Sequence, residues 1–401
     1  MRVRWCLLFA LLAVTSPGHG QGFEDLFDAG ALQRIDLLLN SRDWEKLKAS
    51  FRENEYYPAD VRWSGLTVRN VGIRSRGLGS RSGTKPGLRV DFNRYTTGQT
   101  FLGLGSIVLD NLTQDPSGLR ERVAMRFYQR MGLPAPREAH AALYVNNEYA
   151  GLYAVVESID KDFLRRVFGG AQGSIENDGH LFEYQWKTEW FFTYPGNSLD
   201  VYASSFDPVT HENASAATLY APLEAMFRAI NESPDASFEE TVSAYLDLPL
   251  FMKHVAVQSF LAQSDGILGY AGANNFYLYR FENSSRSQFI VWDEDNAFGA
   301  ADFPILEGHD RNVLMRRAMA VPGLRAAYFD ALRAAAASAA EPAGGGVSWL
   351  EREIQLQRSL VDGAMRADAL KPFANEDYAA DADALGEFAR VRPVLVLSQI
   401  P

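Results

Sequence analysis

The chain has 401 residues, 47% of them hydrophobic, and a formal net charge of −11. A chain of that length can bury a full core unaided, and its acidic balance argues against nonspecific binding to nucleic acid or to an anionic membrane. The single cysteine, Cys6, leaves no intramolecular disulfide to be made.

From the N-terminus, Met1 to Gly20 reads as a secretory signal peptide. Arg2 and Arg4 give a positive start, Trp5 to Val14 an apolar run, and Ser16 to Gly20 a small-residue exit. The apolar run is too short to span a bilayer, and no later stretch reaches the needed ~20 residues. The expectation is a secreted, periplasmic or cell-surface protein with no membrane span in its mature chain. Cleavage after Gly20 would remove Cys6 and two arginines, taking the formal charge from −11 to −13. Asn111, Asn213, Asn231 and Asn283 stand in Asn-x-Ser/Thr sequons, which matter only in a glycosylating host.

Gln33–Leu39 alternates like a strand, and a helix is expected from Asp43, a good N-cap. Asp60 to Phe92 reads as strands around a basic segment, Gly77 to Lys85, whose backbone donors and Arg or Lys charges could cradle phosphate. Gly118 to Met131 is an amphipathic helix with Leu119, Val123, Phe127 and Met131 on one face. His140–Val145 and Tyr149–Glu157 form a hairpin about Asn146-Asn147, and Glu157 ends an otherwise apolar strand. His180 to Tyr184 is a further strand, and Thr188 to Ser215 reads as a loop-rich insertion. Helices follow at Ala217–Asn231 and Leu250–Gln263. After Gly299 the chain is mainly helical, with patterns at Leu324–Ala340, Trp349–Arg366 and Ala384–Val394 and a break at Gly344–Gly346.

The chemistry concentrates between Ser259 and Gly299. Asp265 follows a helix pattern and opens the loop Gly266 to Ala273, whose small residues would leave room for an incoming peptide. Two strands, Asn275–Phe281 and Gln288–Asp293, come next. Extended chain sends residues i and i+2 to the same side, so Asp293 and Asp295 can converge, about 7 Å apart at Cα. Carboxylate and amide oxygens on short loops suit Mg²⁺ or Mn²⁺. The six histidines show no metal-type spacing, and neither a Gly-x-Ser-x-Gly elbow nor a P-loop is present. A glycosidase pair would need its carboxyls flanking a bond across ~5 Å or more, usually from separate strands, which disfavours that use of Asp293 with Asp295.

GANNFYLYRF followed by FIVWDEDNAFG resembles the signature of the CotH kinase family, the spore-coat-protein-H-like atypical secreted kinases. GxRxRGxxSRxxxKxGLRVDF and YVNNEYAGLYAVVESID are also similar to that family, and the resemblance covers roughly Ile35 to Phe303. It implies an α+β, bilobal, atypical protein-kinase-like fold with a β-rich N-lobe and a mainly helical C-lobe. The division would be an N-lobe with its lobe-spanning hairpin at 21–165, a catalytic core at 166–300 and a helical part at 301–401. It implies ATP and Mg²⁺ or Mn²⁺ as cofactors and transfer of the γ-phosphate to Ser or Thr of an exported protein substrate.

The implied site places Lys85 and Glu157 as an ion pair holding the nucleotide phosphates, with Arg81 beside them. Asp265 becomes the base or acceptor-orienting acid, and Asn275 and Asp293 the metal ligands. Asp295 is either a second metal ligand or a cap on the turn that follows. Glu183 stands where the family strand often ends in lysine, and Asn274 where relatives often carry histidine, so neither position inherits a role. Two other readings stay open: a catalytically silent secreted binding or coat protein, and an AMP-transferring pseudokinase.

Overall fold

The computed structural model describes residues 22–169 and 177–401, so the expected signal peptide lies outside the described residues. In chain order the elements are α1 (Phe23–Leu26), β1 (Gln33–Leu39), α2 (Ser41–Ala49), β2 (Tyr57–Trp63), β3 (Leu66–Ser75), β4 (Leu88–Asp91), β5 (Ser106–Asp110), α3 (Arg120–Arg130), β6 (Glu138–Val145) and β7 (Glu148–Glu157). The second half carries α4 (Lys161–Phe168), β8 (His180–Tyr184), α5 (Leu199–Ala203), β9 (Phe206–Pro208), α6 (Ala216–Glu232), α7 (Phe238–Ser243), α8 (Leu248–Phe260), β10 (Phe276–Arg280), β11 (Ser287–Val291), α9 (Val313–Ala320), α10 (Pro322–Ala340), α11 (Trp349–Ala367) and α12 (Asn375–Gln399). The fold is mixed α+β.

Seven strands close into a barrel in the order β1-β2-β3-β4-β5-β7-β6, and β11-β10-β8-β9 form a separate four-stranded sheet. The barrel closes through a parallel pair, β1 with β6. β5 and β7 form the wall between two cores. Ile107, Leu109, Tyr153 and Val155 face the barrel interior, while Val108, Leu152, Ala154 and Val156 face the core shared by the helices and the second sheet. The period of two sends alternate residues to opposite faces, and burial of both faces explains why these strands read as unbroken apolar runs. The β6–β7 turn has the expected form, with Asn146 and Asn147 at φ of 51° and 69°.

Two expectations shift. The helix expected at Asp43 starts at Ser41, because the Asn40 side chain accepts the Arg42 N–H at 2.9 Å. Asp43 falls in the first turn, where its charge still suits the helix dipole. The stretch 188–215 is not only loop: it contains α5 and β9, and β9 pairs with β8 as the edge of the second sheet. The helical tail belongs to the main core: Tyr328, Ile354, Val361 and Leu385 share it with β10 and β11. Arg392 of α12 is fully buried and donates to the carbonyls of Phe260 at 2.8 Å and Ser259 at 2.5 Å. It thereby satisfies the last carbonyls of α8 and fixes where the Asp265 loop begins.

Candidate active site

The barrel faces one end of the second sheet, and strand ends from both meet there. Asn275, just before β10, has φ of 57°, and Asp293, just after β11, has φ of 55°. Left-handed backbone is uncommon outside glycine, with Asn and Asp among the best tolerated, and such strain clusters at functional sites. It gathers Asp293 and Asp295 near Asp110, the last residue of β5. Burial first, then the Asp110 charge, pushes the Asp293 carboxyl up to about 6, against the opposing pull of Arg76. Asp295 is raised well above the carboxylate range by burial and by Asp293, Asp110 and Asp115. Burial and the neighbouring like charge thus disfavour ionising both carboxyls together.

The turn after Asp295 is tied down on three sides. The Asn296 amide donates to Asp295 Oδ1 at 2.7 Å. Arg120, at the start of α3, donates to the carbonyls of Ala297 at 2.6 Å and Phe298 at 3.1 Å, and it is itself held by Asp381 of α12. The Phe298 N–H donates to the Leu261 carbonyl at 2.6 Å, and its ring meets Phe388 edge-on. The Asp293–Gly299 segment is thus fixed to α3, α8 and α12 together.

Asp265 is half-buried. Its Oδ2 accepts from the amides of Asn274 at 3.1 Å and Asn275 at 3.2 Å, and its carbonyl accepts a second bond from Asn275 at 3.0 Å. Burial raises its pKa, and the two amide donors oppose the rise. The loop does not read as open space for a peptide. A Cβ on Gly266 would come within 2.4 Å of the Gln258 amide, and one on Gly272 within 2.4 Å of the Trp190 backbone nitrogen. These glycines permit close packing instead. Beneath the loop, Gln258 accepts the Ile267 N–H and donates to Glu294, a fully buried carboxyl pushed up to about 8 by that burial.

Two further members of this cleft, Asp110 and Arg76, stand outside the set of site residues expected from the sequence. Asp110 sits where an apolar strand ends in an acid, the same signal that marked Glu157. Arg76 sits at the end of β3, just before Gly77, with its guanidinium carbon 5.1 Å from the centre of the Trp292 ring. Glu183, Asp110 and Asp293 all lie within its electrostatic reach.

The donor set fits a hard divalent cation: the carboxylates of Asp293 and Asp295, and the amide oxygen of Asn275, whose nitrogen faces Asp265. Among the described residues no three of His, Cys, Asp or Glu gather closely enough to hold an ion alone. Water and phosphate oxygens would complete the coordination, as is usual for Mg²⁺.

The expected pairing of Lys85 with Glu157 does not form. Lys85 Nζ lies 2.7 Å from Asp368 Oδ2, with side-chain exposures of 1% and 0%. Burial lowers the Lys85 pKa, against the attraction of Asp368. Both Glu157 oxygens are instead taken by Arg137 at 2.9 Å and Arg166 at 2.6 Å. Strand register explains the separation. Leu88 pairs with Leu109 and Leu109 with Val155, which carries Lys85 to the level of Leu152. Two contacts agree: Tyr153 OH donates to the Pro86 carbonyl at 3.1 Å, and Leu152 N–H to Asp368 Oδ2 at 3.0 Å. Glu157 lies five residues further along β7, roughly 17 Å away. Arg81 is also drawn elsewhere, donating to the carbonyls of Gly77 at 2.7 Å and Phe51 at 3.1 Å and to Asn54 Oδ1 at 2.6 Å. It fastens the basic loop to the end of α2.

Fold and site define a mixed α+β protein with an acid-lined cleft between a barrel and a second sheet, next to a braced aspartate loop. The model of the CotH kinase protein family matches residues 73–393, and the chain belongs to that family. It is similar to the inner spore coat protein H of Bacillus subtilis, at 24% identity over 307 residues covering 74% of this chain and 79% of that protein. It is also similar to invasin CotH3 of Rhizopus delemar, at 23% identity over 238 residues covering 58% of this chain but only 38% of the invasin. The crystal structure of the Helicobacter pylori proinflammatory kinase CtkA aligns over 78% of this chain and 92% of its own, at 10% identity and a TM-score of 0.32, too distant to carry an argument. The family match corrects the span drawn from the motifs at both ends: it begins at Ile73 rather than near Ile35, and it does not stop near Phe303. It runs on through α10, α11 and most of α12, taking in Asp368 and Asp381.

Proposed function

We propose that this chain is an atypical kinase that transfers the γ-phosphate of ATP to a Ser or Thr hydroxyl of an exported protein, with Mg²⁺ or Mn²⁺ as cofactor. The reading rests on one observation: Asn275 and Asp293, both in left-handed backbone, and Asp295 cluster at the strand ends beside the Asp265 loop, in a chain of the CotH kinase protein family. In this reading the barrel is the N-lobe, and the second sheet with the helices is the C-lobe, of a bilobal kinase-like fold. A bound divalent cation would neutralise and orient the phosphates. The chain's own residues supply the rest. Asp293 and Asp295 hold the cation with Asn275. Asp265 accepts or orients the proton of the acceptor hydroxyl, and burial makes it a stronger base than an exposed carboxylate. Asn274 and Asn275 keep its carboxylate aimed. The names of the relatives, a spore coat protein and an invasin, fit a coat or surface location.

A catalytically silent surface protein is the second reading. It is favoured by Glu183, which brings a carboxylate to Arg76 where the family strand often ends in lysine. Intact-mass analysis of the chain and of an offered coat-type protein, after incubation with Mn-ATP, separates the readings. A gain of about 80 Da marks phosphate transfer and one of about 329 Da marks AMP transfer. Unchanged masses together with no calorimetric ATP binding overturn the kinase reading.

A further inference from the structure

β3 outruns its sheet at Arg76. The Arg76 N–H makes the last rung to β4's side, donating to the Gly87 carbonyl at 2.9 Å, and the chain then turns at Gly77 with φ of 109°. Backbone and ring therefore fix the Arg76 side chain from two directions, since Trp292 lies beneath its guanidinium and directly precedes Asp293. A guanidinium over an aromatic face is held by the ring's quadrupole, which keeps it from folding onto the carboxylates nearby.

The other cations around the cleft are engaged. Lys85 is closed against Asp368, Arg120 holds the Ala297 and Phe298 carbonyls, Arg81 holds the loop carbonyls, and Arg89 donates to Ser106 Oγ at 3.2 Å. Among the described residues, the Arg76 guanidinium forms neither a hydrogen bond nor an ion pair, although Glu183, Asp110 and Asp293 are within its field. It has five N–H donors in a planar fork, the geometry that meets phosphate oxygens two at a time. Asp293 directly follows Trp292 and lies within the field of Arg76, so a phosphate bound by the guanidinium would sit close to a candidate metal ligand.

We infer that Arg76, rather than Lys85, is the cation that receives the nucleotide's phosphates; this rests on the kinase reading above. Lys85 then serves as a support behind the site. The test is calorimetry with Mn-ATP and with adenosine on the wild type, Arg76→Gln and Arg76→Lys. Loss of one charged, phosphate-facing donor pair should weaken ATP binding by about 10- to 100-fold and leave adenosine affinity unchanged. Arg76→Lys should fall between, because a point charge lacks the fork. ATP affinity unchanged in Arg76→Gln overturns the assignment and spares the kinase reading. Equal losses for ATP and adenosine also count against a phosphate contact. A wild type that binds neither ligand overturns the kinase reading, and this inference with it.

Discussion

The buried pair of Lys85 and Asp368 makes a quantitative prediction about what ties the barrel to the helical tail. Asp368 accepts from Lys85 Nζ and from Leu152 N–H through Oδ2, and from Leu370 N–H at 2.9 Å through Oδ1. Lys85→Met leaves a carboxylate fully buried with its charge uncompensated, and Asp368→Asn does the same to the ammonium. Removing one member of such a pair costs about 3–5 kcal/mol, whereas replacing both can be near neutral. Set against a usual stability of roughly 5–15 kcal/mol, each single change should move the urea midpoint far down. The double variant should recover much of the loss, giving a coupling of about 2 kcal/mol or more in the cycle. Gly151→Ala probes the same contact from the other side, because a Cβ there would lie 2.5 Å from Asp368 Oδ2 at a φ of 119°, and it should destabilise in step. Asp110 lies within the field of both Lys85 and Asp293, so Mn-ATP affinity should change by less than about tenfold in Lys85→Met. If Lys85→Met instead keeps the wild-type urea midpoint while its ATP affinity collapses, Lys85 is a nucleotide ligand and the reasoning fails.

Three further outcomes are expected. Asp293→Ala should abolish Mn²⁺-dependent ATP binding with the far-UV circular dichroism unchanged; undiminished calorimetric affinity would remove Asp293 from the ligand set. Asp265→Asn should lower kcat by about 10²–10⁴ with little change in ATP affinity, read by single-turnover transfer beside calorimetry; affinity falling in step would place Asp265 among the metal ligands. Glu294→Gln should flatten the dependence of stability on pH. The folded state keeps the Glu294 proton up to about pH 8 while the unfolded chain releases it near the ordinary carboxyl value of 4.5. Between those limits the folded state binds more protons, so its stability falls as pH rises, by about 1.4 kcal/mol per unit from this group. From pH 5 to pH 8 the wild type should therefore lose roughly 3–4 kcal/mol more than Glu294→Gln in urea unfolding without added metal; parallel losses would mean the carboxyl is not held protonated.

What the sequence showed of the site follows from chain distance. Asp265, Asn275, Asp293 and Asp295 lie on one helix exit and two paired strands, and β10 pairs Phe276 with Val291. A strand period and a turn suffice to bring those residues to one sheet end. The left-handed backbone at Asn275 and Asp293 was not visible in that pattern, because residue type permits it without requiring it. Six of the seven barrel strands were legible, β1 through its alternation and β6 and β7 through the Asn146-Asn147 turn, but β5 (Ser106–Asp110) was not read. Their closure was not legible either, since the parallel pairing of β1 with β6 has no local signature.

The partners of Lys85 and Glu157 show where order along the chain fails as a guide to pairing. A basic loop followed by a helix and a strand-terminal acid matches the kinase order, yet register across β4, β5 and β7 sets the two groups about five strand residues apart. Each then meets a residue that order alone could not nominate: Asp368 just past α11, and Arg166 on α4. Arg76 and Asp110 escaped notice for a related reason. Each is the residue at which a strand leaves its ladder, and whether such a residue faces the barrel or the cleft depends on how far its neighbours continue. Arg76 is held to the Gly87 rung, and Asp110 is turned by its own carboxylate accepting the Leu112 N–H at 2.8 Å. Both therefore reach the same cleft as Asp293, where burial first and then the surplus of carboxyl over cation push the Asp293 and Asp295 carboxyls up. A divalent cation would remove that surplus and draw off the carboxyl protons. Metal affinity should then rise with pH through the range near 6 where Asp293 titrates, linking the charge imbalance built by the strand ends to the cofactor the site is proposed to take.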